Sequence, residues 1–280
     1  MHPEQVAMTH ESAEPRLFLV DTHCHLDMNP YKADLEAVLG RAAEIGVRQI
    51  ITVGIDLASS RRAISLAEQY DHIFATVGVH PHAVAETVEA DYDELRHLAR
   101  HPKVVGLGEI GLDFFKKYAP EDLQIEHFRR QLQLAGELEL PVIIHDRDAH
   151  RQVMAMLGEA APFPAGGVMH CFSGDMALAE QSMELGFYIS VPGIVTFNRA
   201  EELQDVAARV PLDSLLLETD GPYLAPIPKR GKRNEPGYLV HTARKVAALR
   251  GLTLHELAAA TTVNAGRLFS LPSPSDCKGK

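Results

Sequence analysis

The chain has 280 residues, 46% hydrophobic and 23% charged, an ordinary globular composition with enough apolar material for a full core. With 38 acidic against 27 basic residues its formal net charge is −11, which argues against broad, sequence-independent nucleic-acid binding through a basic surface. No apolar run approaches the roughly 18–20 residues needed to cross a bilayer, and Cys24, Cys171 and Cys277 are too few for a disulfide framework, so a reducing cytoplasm is the expected setting.

In chain order, residues 1–16 are polar, carry Glu4, Glu11 and Glu14, and lack the basic and apolar regions of a signal peptide; a flexible N-terminal extension is expected. Short β-branched or apolar runs then alternate with amphipathic stretches of helix length. The strand candidates are 17–21, 49–54, 73–79, 104–109, 141–145, 167–170, 187–191 and 214–218. The helix candidates are 34–45, 59–69, 91–100, 121–139, 150–159, 176–185, 200–209 and 239–249, followed by a pair at 255–261 and 264–270. The runs "QIITVG", "PVIIH" and "LLLETD" are apolar on both faces, as parallel strands covered by helices must be. Eight strands alternating with eight helices predict the α/β class and a single-domain (β/α)8 TIM barrel over residues 17–270. A doubly wound open sheet would need a Gly-rich phosphate turn after its first strand, where this chain reads "DTHCHLD". Residues 271–280 are expected to be a flexible C-terminal tail.

Five of these strands run into side chains able to bind a metal, all at the same edge: His23 and His25, Glu109, His145, His170 and Asp220. In an α/β barrel that edge is the active-site face, so residues distant in sequence converge there. His23 and His25 are two apart on extended chain and share a face, while Cys24 points away. One ion with an open position for water has no use for so many protein ligands; two ions sharing a carboxylate fit better. His23, His25 and Asp220 would hold one, His145 and His170 the other, and Glu109 would bridge. With a bridging hydroxide, the residual charge of about +1 would attract an anionic substrate.

Other residues on this edge have functional and structural readings. Asp220 reads as ligand and general base. Asp21 and Glu218, one layer deeper, read as partners of imidazole N–H groups or of metal-bound water, or as a buried ion pair. His80 reads as a contact to substrate or metal-bound water, and His82 as a surface histidine. Asp113 could orient substrate but better suits a cap of the following turn, and Arg147 either a phosphate contact or an ion pair with Asp146 or Asp148. Cys24 and Cys171 read as packing residues. In an acidic chain the basic run Lys229, Arg230, Lys232 and Arg233 suits phosphate contacts, with a single-stranded end threaded into the mouth.

The segments "DTHCHLD", "GVHPH", "GEIGLDF", "PVIIHDRDA", "HCFSG", "GFYISVPG", "LLLETDGPYLAP" and "RGKRNEP", in this order over residues 17–270, resemble the TatD-type metal-dependent deoxyribonucleases, a branch of the amidohydrolase-like barrels. The resemblance implies a TIM barrel with two divalent ions, a bridging Glu where many amidohydrolases use a carboxylated Lys, and ligands at the same six positions. It also implies phosphodiester hydrolysis of DNA by dimetal-activated hydroxide, 3′-to-5′ exonuclease behaviour on single-stranded ends, and a part in DNA repair. Mg or Mn is expected for activity, with Zn possible as the bound ion. Gly221 departs from the family pattern, which usually places a slightly larger residue between Asp and Pro. A dimetal esterase or amidase, such as an aminoacyl-tRNA deacylase, is the alternative enzyme; a non-catalytic metal-binding protein is the alternative outside enzymes. DNA is the expected partner, with no membrane and no obligate protein partner, for a monomer or weak oligomer.

Overall fold

The computed structural model describes residues 17–273. Among them, eight strands form one sheet whose spatial order is the chain order: β1 (Leu19–Cys24), β2 (Val47–Val53), β3 (Ile73–Val77), β4 (Val104–Asp113), β5 (Val142–Arg147), β6 (Gly167–Met169), β7 (Phe187–Val191) and β8 (Leu215–Leu217). Every neighbouring pair from β1 to β8 is parallel. The helices that return the chain are α1 (Leu35–Ile45), α2 (Leu57–Gln69), α3 (Glu89–Leu98), α4 (Glu121–Leu138), α5 (His150–Ala160), α6 (Met176–Glu184), α7 (Glu201–Arg209), α8 (Leu239–Arg250) and α9 (Leu254–Phe269). This is the (β/α)8 barrel that the alternation predicts.

The seam between β8 and β1 is joined by the segment that follows β8. Cys24 bridges Gly221, the His25 N–H donates to the Gly221 carbonyl (2.7 Å), and the Asp220 N–H donates to the His23 carbonyl (2.9 Å). The buried Asp21 carboxylate accepts from the Thr219 N–H (2.9 Å) and hydroxyl (2.6 Å). Burial is the largest influence on Asp21 and raises its carboxyl to about 7, against the lowering effect of the Thr219 hydrogen bonds. Asp21 was expected to partner an imidazole or metal-bound water, or to form a buried ion pair; its oxygens instead accept from Thr219 and help close the barrel.

An apolar layer drawn from six strands (Val20, Ile51, Val53, Phe74, Ile143, Val168 and Leu216) packs with Ala265, Leu268 and Phe269 of α9. The α9 helix covers the N-terminal ends of the strands: Thr262 Oγ1 donates to the Phe18 carbonyl (3.0 Å), and Asn264 Nδ2 to those of Leu212 and Leu215 (both 2.8 Å). With that end sealed, the open face is at the C-terminal ends. The expected pair of terminal helices is one continuous helix, because Asn264 satisfies outside groups and does not compete for its own backbone, while the Thr261 hydroxyl folds back onto the Leu257 carbonyl (3.0 Å). Of the expected tail, Leu271 is buried against this layer and the Pro272 carbonyl accepts from Gln49 Nε2 (2.9 Å). The expected extension at 1–16 and the remainder of the tail, 274–280, lie outside the described residues.

Strand β4 runs four residues beyond its expected end and pairs Gly111 with His145, and Asp113 with Arg147. Gly111 has φ +143°, and a Cβ there would overlap the His145 backbone carbonyl. The close approach of β4 and β5 therefore requires glycine. Gly111→Ala is expected to cost about 2–3 kcal/mol by overpacking and to lower Tm by roughly 5–10 °C, as a thermal melt followed by circular dichroism would show.

Candidate metal centre

At the C-terminal ends of the strands, β1, β4, β5 and β6 and the segment after β8 bring six side chains together. His23 and His25 point the same way, their Nε2 atoms 3.4 Å apart, while Cys24 Sγ faces Tyr31 Oη (3.8 Å) and the Gly221 carbonyl on the other side. Glu109 Oε2 lies 3.4 Å from His23 Nε2 and 3.7 Å from His25 Nε2. Asp220 Oδ1 lies 3.4 Å from His25 Nε2 and 3.9 Å from His23 Nε2. The other Glu109 oxygen, Oε1, faces a second set: His145 Nδ1 at 2.6 Å, His170 Nε2 at 3.2 Å and His80 Nε2 at 3.4 Å. One buried carboxylate thus spans two groups of imidazoles.

The donor chemistry of the first group fits a cation. Among the described residues the Val53 carbonyl is the one partner of His25 Nδ1 (3.2 Å), so Nδ1 carries a proton toward it and the neutral ring presents its Nε2 lone pair. That lone pair, His23 Nε2 and two carboxylate oxygens converge in a buried space where like ends repel unless a positive charge sits among them. His23 Nδ1 is buried without a hydrogen-bond partner among the described residues. Burial and the neighbouring His170 and His25 push the His23 imidazole down to about 3, which leaves it neutral and able to ligate at pH 7. Burial works to raise the Glu109 carboxyl, yet His170, His80 and the hydrogen bonds from His145 and His170 hold it well below the usual range, ionised as a ligand must be.

A ring of supporting groups surrounds the donors. The Glu218 carboxylate lies 3.0 Å from His170 Nδ1 and accepts from the Cys171 N–H (2.7 Å). Cys171 itself lies beside His170 and Glu218 with φ +46°. Asp113, expected to cap a turn, does so through Oδ1, which accepts from the N–H groups of Phe115 (3.1 Å) and Lys116 (2.8 Å). Its Oδ2 also faces His145 Nε2 (3.2 Å) and His82 Nε2 (2.8 Å). His82, read from sequence as a surface residue, belongs to this ring because the Asp113 carboxylate holds it. The sequence signal for Asp113 was its spacing: it follows Glu109 by four residues on extended chain and so shares its face. His80 sits deeper than expected, in a group with Glu109 and His145. Its Nδ1 accepts from the His82 N–H (3.0 Å), which places its proton on the Nε2 that faces Glu109.

The expected substrate contacts divide. Arg147 makes neither expected ion pair; its guanidinium lies 4.1 Å from the centre of the Phe115 ring, while Asp146 pairs with His150 (2.8 Å). Arg230 is exposed, 4.5 Å from the Phe197 ring, and Lys232 is exposed. Arg233 is not available. It forms two hydrogen bonds to Asp34 (2.7 and 2.8 Å), donates to the Pro30 carbonyl (2.6 Å) and lies 3.6 Å from Glu235, so its charge is already neutralised by carboxylates. Asn234 beside it is fully buried and pins the post-β8 segment through the Thr219 and Tyr223 carbonyls (both 2.7 Å).

The model of the TatD-related DNases matches residues 20–270 of the chain. The chain belongs to this family. It is 44% identical to the uncharacterized metal-dependent hydrolase YabD of Bacillus subtilis over 90% of this chain and 99% of that one. It is 39% identical to the 3′-5′ ssDNA/RNA exonuclease TatD of Erwinia tasmaniensis over 90% of this chain and 100% of that one. The crystal structure of YjjV, a TatD homologue from Escherichia coli, superposes with a TM-score of 0.87 at 37% identity, covering 91% of this chain and 98% of that one. As a TatD-family member the protein is a metal-dependent hydrolase. Gly221, where the resemblance anticipates a larger residue, lies against Tyr31 Oη and Cys24 Sγ, and a Cβ would fall inside contact distance of both. In this TatD-family chain the buried Tyr31, whose hydroxyl donates to the Asn234 carbonyl (2.7 Å), fills that space.

Because the Glu218 carboxylate lies 3.0 Å from His170 Nδ1, on the other side of the ring from the Nε2 that faces Glu109, Glu218→Gln is expected to weaken metal binding by about 10–100-fold while the fold persists. Competition against a chromogenic chelator measures the affinity.

Proposed function

We propose that the protein hydrolyses phosphodiester bonds at the 3′ ends of single-stranded nucleic acid, releasing nucleotides one at a time. The division of the Glu109 oxygens between two imidazole groups, 3.4–3.7 Å on one side and 2.6–3.4 Å on the other, carries this reading. Two divalent ions would fit it: His23, His25 and Asp220 would hold one, His145 and His170 the other, and Glu109 would serve both. When bound, such a pair supplies an activated water and neutralises charge developing on a phosphoryl group.

The protein's own groups do the rest. Asp220 has φ +54°, an uncommon conformation held by the bond from its N–H to the His23 carbonyl and by the Tyr223 N–H donating to its own carbonyl (2.9 Å). Its side chain is 13% exposed, against 4% for Glu109, so it stands between the buried donors and solvent. From there the free carboxylate oxygen takes a proton from the attacking water and can return it to the leaving 3′ oxygen. His80, with its proton on Nε2, donates toward Glu109 and keeps that carboxylate in place. Arg147 and the exposed Arg230 and Lys232 offer the cations that a polyanionic strand needs, locally, on an acidic chain. The nucleic-acid substrate and the polarity are supported by relatives named as 3′-5′ ssDNA/RNA exonucleases.

End-labelled single-stranded DNA with Mn or Mg tests the reading. Asp220→Asn should lower kcat by at least about a hundredfold while Tm stays within a few degrees of wild type. Equal digestion by both proteins would overturn it. Arg230→Ala with Lys232→Ala is expected to raise KM several-fold and to make the slope of log(kcat/KM) against log[salt] shallower by about one per lost phosphate contact. Chelation should abolish nucleotide release with the circular-dichroism spectrum retained, whereas a purely structural metal would take the fold with it.

A further inference from the structure

We propose that the two rims of the barrel mouth form a stacking clamp for the terminal bases of the strand, with Phe115 and Tyr118 on one side of the histidine cluster and Tyr223 on the other. This rests on the nucleic-acid reading above and adds to it what holds the strand end in place.

Three aromatic rings among the described residues are more than half exposed: Phe115 (54%), Tyr118 (64%) and Tyr223 (52%). A single exposed ring needs no explanation. These three all lie on one face, in the segments that leave the C-terminal ends of β4 and β8. No Phe or Tyr among the described residues of the helical outer wall is comparably exposed.

Two of the rings also connect to the candidate metal centre. The Tyr118 ring centre is 4.6 Å from that of His82, which is 4.3 Å from His80, which is 4.4 Å from His145. On the opposite side the Tyr223 ring is 6.3 Å from that of His25, edge to face. The histidines that would hold the ions thus form a floor between two aromatic walls.

The Phe115 wall carries cations, and a further one lies in the post-β8 segment that bears Tyr223. The Arg147 guanidinium lies 4.1 Å from the Phe115 ring centre, with Lys116 at 5.7 Å. Arg230 lies 4.5 Å from Phe197, in the segment after β7 and next to the post-β8 loop. A guanidinium against a ring keeps N–H groups free at its edge for a phosphate while the aromatic surface takes a base. A backbone-plus-base ligand uses both parts; an apolar peptide would use only the rings, and a free phosphate only the cations. Since every base offers a π face, such a clamp accepts any sequence and grips purines somewhat more firmly by their larger area. Duplex ends, whose bases are already stacked and paired, would enter poorly.

The test uses the full-length protein with Mn and two single-stranded oligonucleotides, one normal and one whose last two 3′ nucleosides are abasic tetrahydrofuran units. Phe115→Ala with Tyr118→Ala, and separately Tyr223→Ala, should each lower kcat/KM on the normal strand by about tenfold. Tyr118→Phe and Tyr223→Phe should retain it, since stacking needs the ring and not the hydroxyl. Removing rings and bases together should cost no more than removing either alone, the non-additivity of groups that touch. Alanine variants that degrade the normal strand at the wild-type rate, or losses from ring and base removal that multiply, would overturn the clamp and leave the nuclease reading standing. A wild-type protein that releases nucleotides from neither strand would overturn both. Melting curves of these exposed-site variants separate lost binding from lost fold.

Discussion

The constraint on which the site depends is a charged carboxylate in a dry interior. Glu109 is 3% exposed, and an ion taken out of water is expensive unless opposite charge and hydrogen bonds compensate it closely. Here His145, His170 and His80 face one oxygen, and His23 and His25 the other. The carboxylate is held ionised by the groups that share it. Nearly every other feature of the mouth fixes one of these imidazoles: Val53 holds His25, Asp113 holds His145, and Glu218 faces His170.

The same requirement explains the seam of the barrel. Asp220 reaches His23 and His25 because the chain after β8 lies along β1, and it lies there because of short-range polar contacts made by Asp21, Thr219 and Asn234. These groups touch no candidate metal position, yet they set where a donor stands. The two carboxylates flanking His23, Asp21 and Glu109, therefore do different work: the first closes the backbone and the second faces the imidazoles. The cluster Arg233, Asp34 and Glu235 extends this scaffold outward by anchoring the basic loop to the start of α1. Only part of that loop is free for a ligand.

Acidity of the whole chain and the polyanionic substrate proposed above are reconciled by location. A net charge of −11 repels a polyanion at long range, so the nucleic-acid substrate proposed above would have to be held by local cations such as Arg147 and Arg230, each set against an aromatic ring. A protein built this way suits an end that enters a cleft better than a duplex that lies along a face.

Much of this was legible in the sequence. The period of strands and helices set the barrel, because parallel strands buried on both faces leave continuous apolar runs. The strand-end positions of His23, His25, Glu109, His145, His170 and Asp220 placed these side chains on one rim, because a parallel barrel gathers all such ends there. Tertiary structure alone decided what each group could spare. Arg233 and Asp21 carry the right charge in the right segment, but Asp34, Glu235 and Thr219, distant in sequence, had already claimed them. His82 and Asp113 entered the site only because β4 runs on beside β5, and α9 stayed whole because Asn264 found carbonyls at the start of β8. Periodicity is a local property that neighbouring residues can encode. Whether a polar side chain is free or occupied depends on partners that only the folded chain brings within 3 Å.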